Sequence, residues 1–135
     1  MKPSLEDDQH CFVCGEKNPV GLHVQFSLQE GKVKAEFILQ KIYQGYKDII
    51  HGGIISTLLD EAMVKAALMH GMPAVTAEIT LRFRNPLFAG EKVHVEAFIE
   101  KINKKVLGAK AVMKKTDETV VAEGSAKLLR QDEHS

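Results

Sequence analysis

The sequence is poor in cysteine, in net charge and in long apolar runs, and each shortage excludes a class of protein. Only two cysteines occur among 135 residues, too few for the disulfide scaffold of a small secreted domain. Eighteen basic residues balance eighteen acidic ones, which argues against duplex DNA or an anionic membrane surface as a partner. No apolar stretch approaches the roughly 20 residues that span a bilayer, and residues 1–10 lack the apolar segment of a secretory signal. We therefore expect a cytoplasmic protein with no nucleic-acid or membrane partner.

The chain length indicates one domain with a single core. We expect a polar tail at residues 1–10, a folded domain at 11–130 and a short tail at 131–135. The predicted strands cover residues 24–28, 33–39, 75–84, 92–102, 106–115 and 119–129. One helix is predicted at residues 52–70, where Gly71 and Pro73 end it. Because the strands are joined by short connections, the pattern predicts an α+β domain with one antiparallel sheet and one helix.

The predicted helix is amphipathic. At 100° per residue its apolar side chains form one wide face that should pack on the sheet: Ile55, Leu58, Leu59, Ala62 and Ala66. Glu61 and Lys65 form an i,i+4 pair, which we expect on the solvent side. Asp60 points away from the apolar face, yet its helical neighbours are small or apolar. We therefore expect Asp60 to face a cleft or a subunit partner rather than bulk water.

The predicted helix begins at His51-Gly52-Gly53. The first backbone N–H groups of a helix have no intrahelical acceptor, so Gly52 and Gly53 should leave donors open to a ligand. A carbonyl oxygen held there would be polarised as it becomes an oxyanion. Asp60 lies about 13 Å further along the helix by rise alone, which is too far to serve the same carbonyl. We therefore expect the carboxylate to come from another subunit, so that the site is composite.

Three segments together resemble one family of proteins. Residues 51–63, HGGIISTLLDEAM, are similar to the signature of the hotdog thioesterases, in particular the phenylacetate-degradation (PaaI) type. Residues 11–22, CFVCGEKNPVGL, and 76–87, TAEITLRFRNPL, resemble two further segments of that group in the same order. The resemblance implies a hotdog fold, in which a curved antiparallel sheet wraps around one long central helix. It also implies homodimers, or tetramers built from two dimers, that hydrolyse acyl-CoA or aryl-CoA thioesters between subunits without a cofactor or metal.

The resemblance assigns roles to four positions. Asp60 matches the family's carboxylate, which acts as a general base on water or as a nucleophile. Gly52 would donate its N–H to the thioester carbonyl, and His51 would help to position the loop or the substrate. Thr76 corresponds to a residue that holds the attacking water in some members, although threonine is also common in strands.

Other candidate substrate-binding residues depend on weaker patterns. Many relatives have an asparagine six residues before the histidine, where this chain has Gly45 with Gln44 beside it, so Gln44 is a candidate for contacting the thioester. Arg82 and Arg84 share one side of their strand, and Asn85 follows it. Basic side chains at a strand end can hold the phosphates of CoA, but charge on an exposed edge strand is an equally good reading.

Cys11 and Cys14 admit two interpretations. With His10 and His23 nearby, they offer two thiolates and two imidazoles for zinc, but the usual pattern, a Cys-x-x-Cys pair followed by a His-x₃₋₅-His pair, is absent. We favour partly buried structural thiols and expect no metal site.

Two other functions compete with hydrolysis. A hotdog module that only binds or senses acyl-CoA has no need of a carboxylate at position 60. A hotdog dehydratase is suggested by Glu61-Ala62-Met63, but the His-Phe-Pro segment of those enzymes is missing. The sequence therefore favours an acyl-CoA thioesterase, with the acyl group and the choice between dimer and tetramer left open.

Overall fold

The structure, a computed structural model, describes residues 5–131. Residues 1–4 and 132–135, which belong to the two expected tails, lie outside the described residues. The strands are β1 Ser27–Gln29, β2 Lys32–Ile38, β3 Ala74–Phe83, β4 Lys92–Ile102, β5 Val106–Lys115 and β6 Val120–Arg130. Helix α1 covers Gly52–Met69, and a short 3-10 turn at Lys41–Tyr43 precedes it.

The six strands form one antiparallel sheet in the order β1-β2-β4-β5-β6-β3. Helix α1 contacts every strand from β2 to β6, as expected when a curved sheet wraps around one helix. The predicted α+β architecture is confirmed. Strand β3 pairs only with β6 within the described residues, so its other edge leaves a row of backbone donors and acceptors unpaired.

The predicted apolar face of α1 is buried in the core. All five residues assigned to it are at most 3% exposed. Met63 and Ala67, which the sequence placed beside Asp60, are also fully buried, because the sheet curves around more than one face of the helix. Burying one large apolar side chain contributes about 1.5–3 kcal/mol, so packing rather than helix propensity holds α1 in place. Within the described residues, no helix is long and apolar enough to cross a membrane.

The helix ends as the sequence predicts. Gly71 adopts a left-handed conformation (φ 77°), which glycine reaches without steric cost. The N–H groups of Gly71 and Met72 donate to the carbonyls of Leu68 and Ala67 at 2.9 Å each. This closure of the last turn satisfies helical carbonyls and directs the chain into β3.

The first strand differs from its prediction. Residues 24–26 were expected in a strand, but β1 begins only at Ser27. The N–H of Val24 instead donates to Val13 O at 2.9 Å, and the Val24 side chain is buried. The segment before β1 is therefore used to hold the N-terminal loop against the core rather than to extend the sheet.

Candidate active site

The start of α1 has one engaged amide and one free amide. His51 is the N-cap residue, and its Nδ1 accepts a hydrogen bond from the N–H of Gly53 at 2.8 Å. No described residue accepts a hydrogen bond from the N–H of Gly52. The expectation of two open donors therefore holds for Gly52 alone. Because Nδ1 accepts, the ring proton of neutral His51 lies on Nε2.

The loop before the helix holds His51 in this position. The N–H of His51 donates to Tyr43 O at 2.9 Å. Gly45 lies against the same residue, since a Cβ built on it would be 3.5 Å from Cδ2 of His51. Gln44 closes the loop on itself, because its Oε1 accepts a hydrogen bond from the N–H of Asp48 at 2.8 Å. The carbonyl of the Gln44 side chain is thus committed to the loop, and only its amino group remains for a substrate.

A shallow pocket of about 350 Å³ opens at this end of the helix. Its walls are formed by Ile42, Tyr43, Gln44, His51, Gly53 and Ile54. The lining is mostly apolar, with two isoleucines and one aromatic ring beside the cap of the helix. Such a combination suits an apolar group attached to a polar reacting centre.

Asp60 has a hydrogen-bond partner from the sheet. The hydroxyl of Thr76 donates to Asp60 Oδ1 at 2.5 Å, and both side chains are partly buried. This bond fixes the carboxylate at the point where α1 crosses the beginning of β3. Asp60 therefore does not lie on an open solvent face. This agrees with the expectation drawn from its small and apolar helical neighbours.

An irregularity in β3 brings Thr76 onto the helix side of the sheet. Thr76 and Phe83 are seven positions apart, so regular alternation would place them on opposite faces. The pairing with β6 shifts between Thr76 and Glu78, which adds one unpaired residue, as in a β-bulge. As a result Thr76 reaches Asp60 while the Phe83 ring lies beside Gly52, 3.6 Å from where a Cβ would be.

The two parts of the candidate site, the Gly52 amide and the Asp60 carboxylate, do not meet within one chain. Gly52 and Asp60 are eight positions apart on the same helix, about 12 Å by rise. On β3 the matching contacts are Thr76, which reaches Asp60, and Phe83, which lies beside Gly52. One chain therefore presents a carboxylate near the beginning of β3 and a free amide near its end.

The basic residues in and just after β3 do not join Asp60. Arg82 lines a groove on the outer face of the sheet, the face turned away from α1. Arg84 forms an ion pair with Glu123, with Nε at 3.2 Å from Oε2. Asn85 donates from Nδ2 to Val120 O at 2.7 Å, which helps to end the strand.

Glu61 was expected on the solvent side, and that expectation is wrong. Its Oε2 accepts hydrogen bonds from the thiols of Cys11 and Cys14 at 3.3 Å each, and its side chain is partly buried. The N-terminal loop folds over this part of the helix and covers it. Helical periodicity places Glu61 on a polar stripe but carries no information about a loop 47 to 50 residues earlier.

The family of this chain follows from comparison with known proteins. The family model described as "Thioesterase superfamily" matches residues 47–122, which include the start of α1, Asp60 and Thr76. A protein of Archaeoglobus fulgidus that is provisionally described as an esterase is 33% identical over 70 residues, covering 52% of this chain and 46% of that protein. The chain thus spans about half the length of this curated relative.

Solved structures show the same fold. A crystal structure of a thioesterase superfamily protein has a TM-score of 0.84 at 22% identity, covering 88% of this chain and 62% of the other. The E. coli PaaI protein from the phenylacetic acid degradation operon has a TM-score of 0.76 at 23% identity, covering 82% and 81%. A Streptococcus mutans protein solved bound to acetyl-CoA has a TM-score of 0.77 at 16% identity, covering 83% and 91%.

The fold is therefore that of the hotdog thioesterases, as the sequence resemblance implied. A single helix wrapped by one antiparallel sheet is the architecture that the described residues share with these structures. The chain belongs to the thioesterase superfamily.

Proposed function

We propose that this protein hydrolyses acyl-CoA or aryl-CoA thioesters to the free acid and CoA. One observation carries the proposal: a carboxylate fixed by a threonine hydroxyl, Asp60 with Thr76, belongs to a chain that also presents a free helix-start amide at Gly52. Hydrolysis of a thioester needs both a group that supplies or activates the nucleophile and a donor for the developing oxyanion. The acetyl-CoA bound by the Streptococcus mutans protein of the same fold supports the class of substrate.

The proposed reaction runs by one of two routes. In the first, Asp60 removes a proton from a water molecule, whose oxygen attacks the thioester carbon. In the second, a carboxylate oxygen of Asp60 attacks that carbon directly, and water then cleaves the resulting anhydride. In both routes the carbonyl oxygen becomes negative beside the N–H of Gly52 and the positive end of the helix dipole. In the first route the C–S bond breaks and the CoA sulfur leaves with the proton that Asp60 took from the attacking water. In the second route the C–S bond breaks as the anhydride forms, the CoA thiolate takes a proton from solvent, and the later attack of water on the anhydride gives the free acid and restores Asp60.

Thr76 and His51 support the two reacting groups. The Thr76 hydroxyl donates to Asp60 and keeps oxygen lone pairs with which to accept a hydrogen bond from the attacking water. His51 holds the first turn by accepting from Gly53, which leaves the Gly52 amide directed outward. Gln44 and Gly53 then border the apolar pocket in which we place the acyl or aryl group.

We further propose that each site is shared by two subunits joined at their β3 edges. Antiparallel pairing of two β3 strands about a two-fold axis at Thr80 sets Glu78 of one chain opposite Arg82 of the other, and the β-bulge then leaves Thr76 facing the partner's Phe83. Since Thr76 contacts Asp60 and Phe83 contacts Gly52, this pairing brings the carboxylate of one chain to the free amide of its partner. It also removes the long exposed strand edge, which is a liability for a lone chain.

The phosphates of CoA are assigned in this proposal to the residues at the end of β3. Arg82 is exposed, and Arg84 must exchange Glu123 for a phosphate oxygen in order to bind. Arginine is suited to that exchange because its planar guanidinium makes paired hydrogen bonds to either group. Asn85 would take part only by giving up its bond to Val120 O.

Release of free thiol from a panel of acyl-CoAs tests the function. The panel runs from acetyl to palmitoyl and includes phenylacetyl and benzoyl, and wild type is compared with Asp60→Asn. The asparagine keeps the size of the side chain and an oxygen that accepts from Thr76, so the fold should be retained. We expect turnover to fall by about two or more powers of ten, because a base or nucleophile is lost.

Near-wild-type turnover in Asp60→Asn would remove Asp60 from the mechanism. If every acyl-CoA binds but none is cleaved by wild type, the chain is a binding module instead. If a 3-hydroxyacyl-CoA added to the panel gave an enoyl product with its thioester intact and no thiol released, the chain would be a dehydratase.

A further inference from the structure

The N-terminal loop and α1 bring two thiols and one carboxylate together next to the proposed active site but without Asp60 or Thr76. The Sγ atoms of Cys11 and Cys14 each lie 3.3 Å from the same oxygen, Oε2 of Glu61. The three ligand atoms all lie within 4.8 Å of one another, and all three side chains are partly buried. His10 and His23, which the sequence offered as further ligands, are not members of this cluster.

The loop that carries the two thiols is fixed by its own backbone. Gly15 N donates to Cys11 O at 2.9 Å, which closes a tight turn around both cysteines. A Cβ at Gly15 would lie only 2.3 Å from Cys11 N, so the turn requires glycine at this position. Lys17 N also donates to Gln9 O at 2.8 Å. The two thiols are therefore held in one arrangement before any ligand arrives.

The two sulfur-to-oxygen distances are close to those of a tetrahedral zinc site. With Zn–S of about 2.3 Å and Zn–O of about 2.1 Å, tetrahedral geometry needs a sulfur-to-oxygen distance of about 3.6 Å. The observed distances are 3.3 Å, so each thiol has to move by only a few tenths of an ångström. Thiolate and carboxylate are both ligands that zinc accepts, and a Cys-x-x-Cys pair is a common way to supply two of them.

The charges around the cluster also fit a divalent cation. In the metal-free chain the Cys14 thiol donates to Glu61. Lys65, one turn further along α1, lines the same cavity as Glu61, so the two opposite charges balance there. Zinc would add two positive charges while two thiols lose their protons to solvent, which leaves the cluster neutral.

We propose that Cys11, Cys14 and Glu61 bind one zinc ion. The fourth position faces a cavity of about 490 Å³ between the N-terminal loop, α1 and the beginning of β3, from which a water molecule completes the coordination. His10 lines this cavity but stands outside the cluster. The ion ties residues 11–14 to the helical turn next to Asp60, so that it stabilises the loop without touching the reacting atoms. This proposal does not depend on the thioesterase function.

Cobalt titration of the reduced, metal-free protein tests the site. Cobalt(II) takes the same ligands as zinc, and thiolate ligation gives it a charge-transfer band in the near ultraviolet. We expect the band to saturate at one cobalt per chain and to disappear when zinc displaces cobalt. Cys14→Ser should abolish the band, and Glu61→Gln should weaken cobalt binding at least tenfold. His10→Ala is the matched control, because it changes the cavity wall but not the cluster.

A measurement on the wild-type chain keeps the test independent of whether the variants fold. Stoichiometric zinc should protect both thiols against alkylation by iodoacetamide and raise the melting temperature of the protein. Unchanged alkylation with zinc, no cobalt band, or an equal band in Cys14→Ser would each overturn the proposal and leave the thiols as donors to Glu61 only.

Discussion

Two neighbouring glycines at the start of α1 have different tasks. The N–H of Gly53 is bound by His51 Nδ1, while that of Gly52 has no acceptor among residues 5–131. The Gly52 amide lies at the positive end of the helix dipole, where an anion is stabilised. At the scale of single residues, the proposed function therefore depends on one backbone N–H, and proline is the one substitution that removes it.

Gly52→Pro deletes this N–H with little change elsewhere. Proline is favoured at the first position of a helix, and His51 has the extended conformation (φ −60°, ψ 132°) that the residue before proline requires. We expect kcat to fall about 10²–10³-fold, as when one oxyanion donor is lost. The measurement is thiol release with the best substrate of the panel, together with the melting temperature.

Gly52→Ala is the matched control for the loss of the N–H. It keeps the donor, and its Cβ would meet the Phe83 ring at 3.6 Å, an ordinary contact. Alanine should therefore retain most of the activity that proline loses. Equal losses in both variants would mean that space beside Phe83, rather than the donor, is what the reaction needs.

At the scale of elements, prediction from the sequence succeeds where a pattern is local. The apolar spacing of α1, and in β4 the alternation of Val93, Val95 and Ala97 with polar or larger residues, come from periodicity within one segment, and both agree with the burial of their residues. The bonds of Glu61 to the cysteines and of Asp60 to Thr76 join segments that are distant in the chain. Local periodicity does not encode such contacts. The β-bulge after Thr76 likewise follows from pairing with β6, which is not evident from β3 alone.

The ionised carboxylate of Glu91 stabilises the connection between β3 and β4. Glu91 Oε1 accepts from the N–H of Phe88 at 2.8 Å and lies 3.0 Å from Lys115 Nζ. Burial would raise the pKa of Glu91, but these partners outweigh it and lower the pKa below its ordinary value. A carboxyl with a lowered folded-state pKa stabilises the fold above its unfolded pKa, and this contribution is lost as the pH falls through the folded value.

Glu91→Gln should therefore lower the free energy of unfolding at neutral pH, and the difference from wild type should shrink as the pH is lowered below about 4.3. The side chain is about one third exposed, so solvent screening limits the effect to about 1 kcal/mol or less. Urea unfolding at a series of pH values measures it. Glu36→Gln, which removes the partner of exposed Lys92, serves as the control. A difference that does not change with pH would show that Glu91 acts by packing rather than by its charge.

At the scale of the whole molecule, the separation of Asp60 from Gly52 is the feature to explain. Both residues lie on one rigid helix, about 12 Å apart by rise, so no movement of a loop can bring them together. A two-fold axis through the middle of β3 does so without any change within the chain, because isologous contact sets the beginning of one strand beside the end of the other. The shared site and the burial of the free strand edge would then result from the same interface.

Mixing of two defective variants tests whether the site is shared. Asp60→Asn and Gly52→Pro are unfolded together and refolded, so that random pairing makes half of the dimers mixed. If each site takes Asp60 from one chain and Gly52 from the other, every mixed dimer has one intact site and one doubly defective site. We therefore expect activity to return to about one quarter of wild type, although each variant refolded alone stays inactive.

A second mixture separates true complementation from a general effect of refolding. Asp60 and Thr76 come from the same chain in the shared site, so a mixture of Asp60→Asn with Thr76→Val contains no intact site in any dimer. Its activity should not exceed the average of the two refolded parents. If neither mixture regains activity although mixed dimers are present, each site is built within one chain, and the free Gly52 amide has to be given another role. Recovery in the first mixture alone requires that helices from two chains meet at one thioester.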